Sequence, residues 1–122
     1  PAGLPLVQHA LPMLFDLARR GEITHELIVE KACHAPADLF GVIDRGYIRE
    51  GYYADLVLVD TEKPYKVNKD NILYKCQWSP FEGHTFSSSI QTTIVNGFIA
   101  YSDGKLNDSI PGKRLHFNRS RN

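Results

Sequence analysis

The stretch Gly46–Asp60 reads GYIREGYYADLVLVD, and it decides how the rest of the chain is interpreted. Its last part, Leu56–Val59, is a continuous apolar run, which predicts a strand covered on both faces. Gly51 permits a tight turn before that strand, and the Asp55 carboxylate is suited to hold this turn through hydrogen bonds. The hydrophobic period changes here from helical to extended, so we predict helices before this stretch and strands after it.

The first third of the chain predicts two helices, because apolar residues recur there at three- and four-residue steps. Pro5 suits the start of the first helix, and Pro12 implies a kink or a break in it. The helix is expected to stop at Gly21, a residue type typical of helix C-termini. Thr24 can cap the second helix, which we expect to end near Ala35 because Pro36 disfavours helical geometry in the preceding residue. The apolar face of this pair has no sheet of its own to cover, which indicates a missing partner.

Short β-branched and aromatic runs in the remainder of the chain predict strands. These runs are Tyr47–Ile48, Leu56–Val59, Thr92–Val95 and Phe98–Tyr101. Asn96–Gly97 predicts a type I′ hairpin turn between the last two runs, and Asp103–Gly104 ends the final strand. From Lys105 onward basic residues dominate, and we interpret this segment as a solvated basic tail, with a docking arm as the alternative.

Composition excludes several classes of function. The 122 residues carry 14 Lys and Arg against 14 Asp and Glu, so the balanced charge predicts no nucleic-acid and no membrane partner. No apolar stretch is long enough to span a membrane. The two cysteines, Cys33 and Cys76, cannot form a disulfide framework, and we therefore expect a reducing, cytoplasmic location.

The candidate chemical groups are scattered. The histidines, among them His34, His84 and His116, do not follow the short ligand spacings of metal sites. Cys76 lies on a predicted strand and is expected to be a buried thiol, while Ser87–Ser89 lacks the glycine elbow of a nucleophilic serine. The sequence therefore predicts no catalytic residue and no metal ligand within this chain.

Four segments carry a family resemblance. Gly46–Asp60 resembles the G-x-I-x-x-G-x-x-A-D-[LI]-V-[LV]-x-D signature of the amidohydrolase superfamily, and Asn96–Gly97 resembles the turn of that family's closing hairpin. Pro1–Pro12 (PAGLPLVQHALP) is similar to the loop after barrel strand eight in dihydroorotases. Lys75–Gly83 (KCQWSPFEG) resembles the S/T-P-F-E-G motif of the same enzymes.

The resemblance implies an α/β parent, a TIM-barrel amidohydrolase with a β-sandwich side domain. Residues 1–45 would then be the last barrel loop and helices. Residues 46–122 would be the C-terminal small β-sandwich segment and the basic tail. The chain would thus contain the last barrel helices and the C-terminal sandwich strands. The N-terminal remainder of the same enzyme would be its protein partner.

The resemblance also implies a zinc-dependent dihydroorotase, which interconverts dihydroorotate and N-carbamoyl-aspartate in de novo pyrimidine synthesis. In that family zinc activates a water molecule and an aspartate acts as general base. The metal ligands and this aspartate are expected upstream of Pro1, so the isolated chain is predicted to be inactive and to bind no zinc. The backbone of Pro1, Ala2 and Gly3 is expected to line the substrate pocket.

Two alternatives stay open at this point. The parent could be an allantoinase or hydantoinase, although Ser79–Gly83 favours a dihydroorotase. The chain could instead be a non-catalytic dihydroorotase-like scaffold module, and a homo-oligomer is possible in either case.

Overall fold

The computed structural model of the chain describes residues 3–109 and 111–118. The helical elements are α1 (Ala10–Arg19), α2 (His25–Val29), a π-helical turn (Glu30–His34), α3 (Ala35–Phe40) and two 3₁₀ turns (Val7–His9 and Lys69–Asn71). The strands are β1 (Leu56–Asp60), β2 (Tyr65–Lys66), β3 (Thr85–Phe86), β4 (Ser89–Val95), β5 (Phe98–Ser102) and β6 (Lys105–Leu106). One sheet has the order β1-β4-β5-β6, and a second consists of β2 and β3. Helices therefore precede strands, as the change of hydrophobic period predicts.

The chain forms two compact units. The first consists of the described residues up to Ile23 together with Val59–Ile90, and its fully buried side chains include His9, Val67 and Phe86. The second consists of residues 24–58 together with the described residues from Gln91 onward. None of the helices in the described part of the chain is long and apolar enough to cross a membrane.

The second helical segment continues past its predicted end. Thr24 caps it as expected, because its Oγ1 accepts a hydrogen bond of 3.1 Å from the Leu27 N–H. However, Ala35 is helical, and the segment ends at Gly41, which adopts the left-handed conformation. The predicted end near Ala35 is therefore wrong. The π-helical turn before Pro36 widens the backbone, so the proline ring fits at the start of α3, where its missing N–H costs little.

The hairpin prediction is confirmed. Asn96 and Gly97 have φ values of 53° and 84°, as a type I′ turn requires. Asp103 and Gly104 have φ values of 47° and 83° and form a second turn of this kind, which leads into the unpredicted strand β6.

The strand predicted at Tyr47–Ile48 is absent from the described elements. The Tyr47 ring instead stacks on the His34 ring with 4.1 Å between centroids, and its hydroxyl donates a 2.7 Å hydrogen bond to Asp38. Aromatic packing on the helical segment thus outweighs the local preference of Tyr47 for a strand.

The tail is not wholly solvated. The Ile43 N–H donates to the His116 carbonyl, and the Asn118 N–H donates to the Gly41 carbonyl, at 2.9 and 2.8 Å. These bonds flank a bridge between Val42 and Phe117. The prediction of a solvated tail is therefore wrong for residues 116–118, although their side chains stay exposed.

Asp55 has a different role from the one predicted. Its Oδ1 accepts a 2.8 Å hydrogen bond from the Asn96 N–H, and its Oδ2 pairs with Arg45. Arg45 also donates to the Asn96 Oδ1 at 2.7 Å, and its guanidinium lies over the Tyr53 ring. Asp55 therefore holds the hairpin turn between β4 and β5 rather than the turn that precedes its own strand.

Apolar side chains remain exposed on a strand, β1, and on a helix, α3. Val57 and Leu58, which point to opposite faces of β1, are 46% and 47% exposed, so the described residues do not cover both faces of this strand. Leu39 and Phe40 at the end of α3 are more exposed still. The described structure therefore leaves apolar side chains exposed on β1 and at the end of α3.

Gly46 and Gly51, the two glycines of the opening motif, meet different constraints. Both have a φ of +82°, which favours glycine. A Cβ on Gly46 would overlap the Ala37 Cβ and lie 2.8 Å from the Cys33 carbonyl oxygen, whereas a Cβ on Gly51 would meet no described atom within 4 Å. Gly46 is therefore needed for close packing as well as for its backbone conformation.

We expect Gly46→Ala to lower the free energy of unfolding by about 3 kcal/mol, because it adds a steric clash to the strain of positive φ. Gly51→Ala is the matched control, and its strain alone predicts a loss of about 1 kcal/mol. Urea unfolding followed by circular dichroism measures both. Equal losses in the two variants would contradict the role assigned to close packing at Gly46.

We also expect Asp55→Ala to lower the free energy of unfolding by about 2 kcal/mol, because it leaves the poorly exposed Arg45 side chain and the Asn96 N–H without their acceptor. Glu22→Ala removes the carboxylate of an exposed ion pair with Arg20 and should change the same quantity by less than about 0.5 kcal/mol. A similar effect of both substitutions in urea unfolding would show that Asp55 does not organise the turn.

Candidate functional site

The predicted substrate-binding residues lie at the start of the chain. Pro1 and Ala2 fall outside the described residues. Gly3 is exposed, and no described heavy atom comes within 4 Å of the position where its Cβ would stand. Gly3 is therefore uncovered among the described residues, and a glycine permits close approach of a ligand to the backbone.

Gln8 anchors the segment that follows Gly3. Its backbone N–H donates a 2.7 Å hydrogen bond to the Tyr74 hydroxyl. Its side-chain amide donates to the Asn71 carbonyl at 2.6 Å and accepts from the Leu73 N–H at 2.8 Å. Three hydrogen bonds from one residue therefore tie this segment to residues that are more than 60 positions away in sequence.

His9 extends this anchoring into the core of the first unit. Its side chain is fully buried, and its Nδ1 lies 3.1 Å from the Ser79 hydroxyl oxygen, which also accepts from the Phe81 N–H. Its ring contacts the rings of Tyr74 and Phe86, with centroids 5.8 and 5.9 Å away. Burial lowers the pKa of His9, so this imidazole is held in its neutral form.

We call these contacts the loop clamp, which consists of Gln8, His9, Asn71, Leu73, Tyr74 and Ser79. Within the clamp, the contact between His9 and Ser79 joins Pro1–Pro12 to Lys75–Gly83, two segments that sequence analysis singled out separately. Their contact could not be read from the sequence, and neither could the role of His9. The one available signal was a polar histidine between Val7 and Leu11, within the apolar pattern of the first helix.

Asp16, His84 and Ser87 form a second polar cluster in the same unit. The Asp16 carboxylate accepts hydrogen bonds from the Ser87 N–H at 2.8 Å and from the Ser87 hydroxyl at 2.6 Å. His84 Nε2 lies 3.3 Å from the other carboxylate oxygen. A serine nucleophile would have to give its proton to the histidine, whereas here the hydroxyl points to the carboxylate. The cluster therefore joins α1 to the β3 region and is not arranged for acyl transfer.

Burial by itself raises the pKa of Asp16, but the hydrogen bonds from Ser87 and His84 outweigh it, so the net pKa lies below the usual value. The cluster borders a cavity of about 320 Å³, which is also lined by Arg19 and Phe86. Three of the seven residues that line this cavity are charged, namely Asp16, Arg19 and Arg20.

The remaining candidate residues from the sequence do not lie together in one site. His34 stacks on Tyr47, His84 belongs to the Asp16 cluster, and the His116 carbonyl pairs with Ile43. Cys76 is exposed and lies in a turn, so its predicted place as a buried thiol on a strand is wrong. Among residues 3–109 and 111–118 no three histidine, cysteine or acidic side chains are grouped as metal ligands. The donor set of these residues does not fit a zinc site.

We expect Asp16→Asn to lower the free energy of unfolding at neutral pH by about 2 kcal/mol, because it weakens charge-assisted hydrogen bonds to Ser87. Since the folded-state pKa of Asp16 is lowered from 3.8, its contribution is complete above that pH and is lost as the pH falls below it. The difference in free energy of unfolding between wild type and variant, measured by urea unfolding, should therefore become smaller below about pH 4.

Asp108→Asn, at an exposed position, is the control for this measurement. It should neither lower the free energy of unfolding at neutral pH nor change its dependence on pH relative to wild type. A gap between wild type and Asp16→Asn that stays constant down to pH 2 would contradict the assignment.

Comparison with known proteins places these features in a family. The sequence profile of the amidohydrolase family matches residues 6–100. The chain is 43% identical over 115 residues to the dihydroorotase of Halobacterium salinarum, a match that covers 94% of this chain and 27% of that protein. The chain thus spans about a quarter of the length of the curated relatives it matches.

Solved structures of two proteins superpose on this chain. The D-hydantoinase (dihydropyrimidinase) from Thermus sp. superposes with a TM-score of 0.81 at 26% identity, covering 88% of this chain and 24% of that one. An inactive dihydroorotase-like domain of a CAD-like multifunctional protein from Chaetomium thermophilum gives a TM-score of 0.59 at 20% identity, covering 86% of this chain and 27% of that one, a likeness of fold alone. The predicted fold class, a portion of a TIM-barrel amidohydrolase with helices and antiparallel strands, is confirmed, and the chain belongs to the amidohydrolase family.

Proposed function

We propose that this chain is the C-terminal part of a zinc-dependent dihydroorotase, which reversibly hydrolyses dihydroorotate to N-carbamoyl-aspartate in pyrimidine synthesis. The observation that carries the proposal is the 43% identity to an archaeal dihydroorotase over 94% of the chain. The loop clamp supports it, because it joins the two segments whose patterns resemble dihydroorotases. A cytoplasmic location belongs to the same proposal, supported by the two exposed free cysteines.

The proposed division of the chain follows the change of secondary structure. Residues 1–45 contain every α-helix described here and are assigned to the last loop and helices of the barrel. Residues 46–122 contain every described strand and are assigned to the β-sandwich side domain and its basic tail. The exposed apolar residues of β1 and α3 support a further partner for this chain, the N-terminal remainder of the same enzyme.

The reacting groups are proposed to lie outside this chain. The metal ligands and the general-base aspartate are assigned in this proposal to the part of the parent before Pro1; among residues 3–109 and 111–118 no three histidine, cysteine or acidic side chains are grouped as metal ligands. This chain would contribute the backbone of Pro1, Ala2 and Gly3 to the substrate pocket. The accessible backbone at Gly3 supports this role, because an N–H or carbonyl there can bond the polar edge of a cyclic amide.

A hydantoinase is the second candidate, because a D-hydantoinase superposes on this chain with a TM-score of 0.81. Hydantoinases and dihydroorotases both open a cyclic amide ring, so the two candidates differ in substrate rather than in the class of reaction. Against this candidate stands the higher sequence identity to a dihydroorotase, 43% rather than 26%.

The complete parent protein tests the proposal. We expect it to contain zinc and to hydrolyse dihydroorotate with a kcat/KM at least about 100-fold above that for allantoin or dihydrouracil, because polar groups placed for one ring reject rings that lack the matching groups. Absorbance assays with the three substrates and elemental analysis provide the measurements. A preference for dihydrouracil would favour the hydantoinase, and zinc-free protein without turnover would favour a non-catalytic dihydroorotase-like module.

A further inference from the structure

We propose that the loop clamp positions residues 3–7, which we call the substrate loop, so that His9, Gln8 and Ser79 control affinity for the cyclic amide without touching it. The inference rests on the proposed function, because it assigns Gly3 to the substrate pocket. It deepens that function by naming positioning residues that lie outside the reacting groups.

The tether between the pocket and the clamp is short. Only the four residues Leu4–Val7 separate Gly3 from Gln8, and the His9 N–H closes a turn back to the Leu6 carbonyl at 3.0 Å. Because a chain of this length can reach at most about 18 Å, the clamp limits where the Gly3 backbone can lie. Misplacement of a substrate contact by about 1 Å is enough to weaken function strongly.

The chemistry of His9 supports a directional role. The ring is fully buried among aromatic side chains, where a phenyl ring of similar size would also pack. Its Nε2 has no hydrogen-bond partner within the described part of the chain, which makes the imidazole an unfavourable choice for packing alone. What the imidazole adds is the Nδ1 hydrogen bond to Ser79, and this bond fixes the loop relative to the Ser79–Gly83 turn.

Gln8 supplies the second restraint. Its two amide atoms bond backbone groups on either side of Ile72, so the side chain is held in both position and rotation. Together the bonds of Gln8 and His9 restrain adjacent residues from two directions. The loop therefore leaves the core of the first unit at one defined point.

The test uses the complete parent enzyme and compares KM with kcat for dihydroorotate. His9→Phe keeps the aromatic volume but loses the bond to Ser79, and Ser79→Ala removes the same bond by deleting one oxygen. We expect each to raise KM about tenfold while kcat changes less than about threefold, with zinc content unchanged. Because Ser79→Ala leaves the imidazole in place, a folding defect of His9→Phe alone would not decide the result.

Rescue separates the hydrogen bond from packing. His9→Asn places an amide near the position of Nδ1, whereas His9→Gln places one near Nε2, so the Asn variant should have the lower KM of the two. His84→Phe is the matched control, because His84 contacts the same Phe86 ring but lies outside the clamp, and it should leave KM within about twofold.

The outcomes are distinct. Wild-type enzyme that does not turn over dihydroorotate overturns the proposed function, and the clamp inference is overturned with it. If the wild type is active, an unchanged KM in Ser79→Ala, an equal KM in the Asn and Gln variants, or the same KM increase in His84→Phe overturns the clamp inference alone.

Discussion

The buried hydrogen bond between His9 and Ser79 joins the start of the chain to a turn 70 positions later, and the first unit is organised around it. Burying a polar group without a hydrogen bond is costly, so the pairing of His9 Nδ1 with Ser79 favours contact between the two segments that carry these residues. The aromatic rings around His9 then pack against a fixed centre, which leaves the residues before Gln8 at the surface.

In the second unit, too, a largely buried polar side chain is paired with hydrogen-bond partners from distant parts of the chain. The Arg45 guanidinium is largely buried and is satisfied by the Asp55 carboxylate and the Asn96 amide. This network gives the Asp of the family's Ala-Asp signature a structural role, because Asp55 joins the start of β1 to the hairpin between β4 and β5. The Asp55 carboxylate of this motif is therefore structural in this chain.

The division of labour in the proposed enzyme follows from these contacts. In the proposed enzyme this chain would supply the substrate loop and the surfaces that support it, while the metal ligands and the general base would belong to the remainder. A substrate pocket built in this way depends on residues that never contact the reacting atoms. Precise placement of a loop by distant hydrogen bonds is one way in which a scaffold contributes to substrate affinity.

Local patterns in the sequence determined the family, the order of helices before strands, the Thr24 cap and the Asn96–Gly97 turn, because each depends on neighbouring residues alone. The tertiary structure decided the helical path through Pro36, the pairing of residues 116–118, the partners of Asp55 and the loop clamp. Each of these is a contact between distant segments, or a backbone adjustment that packing makes favourable. A histidine in an apolar pattern shows that something must satisfy it, but only the folded chain brings Ser79 within 3.1 Å of its ring.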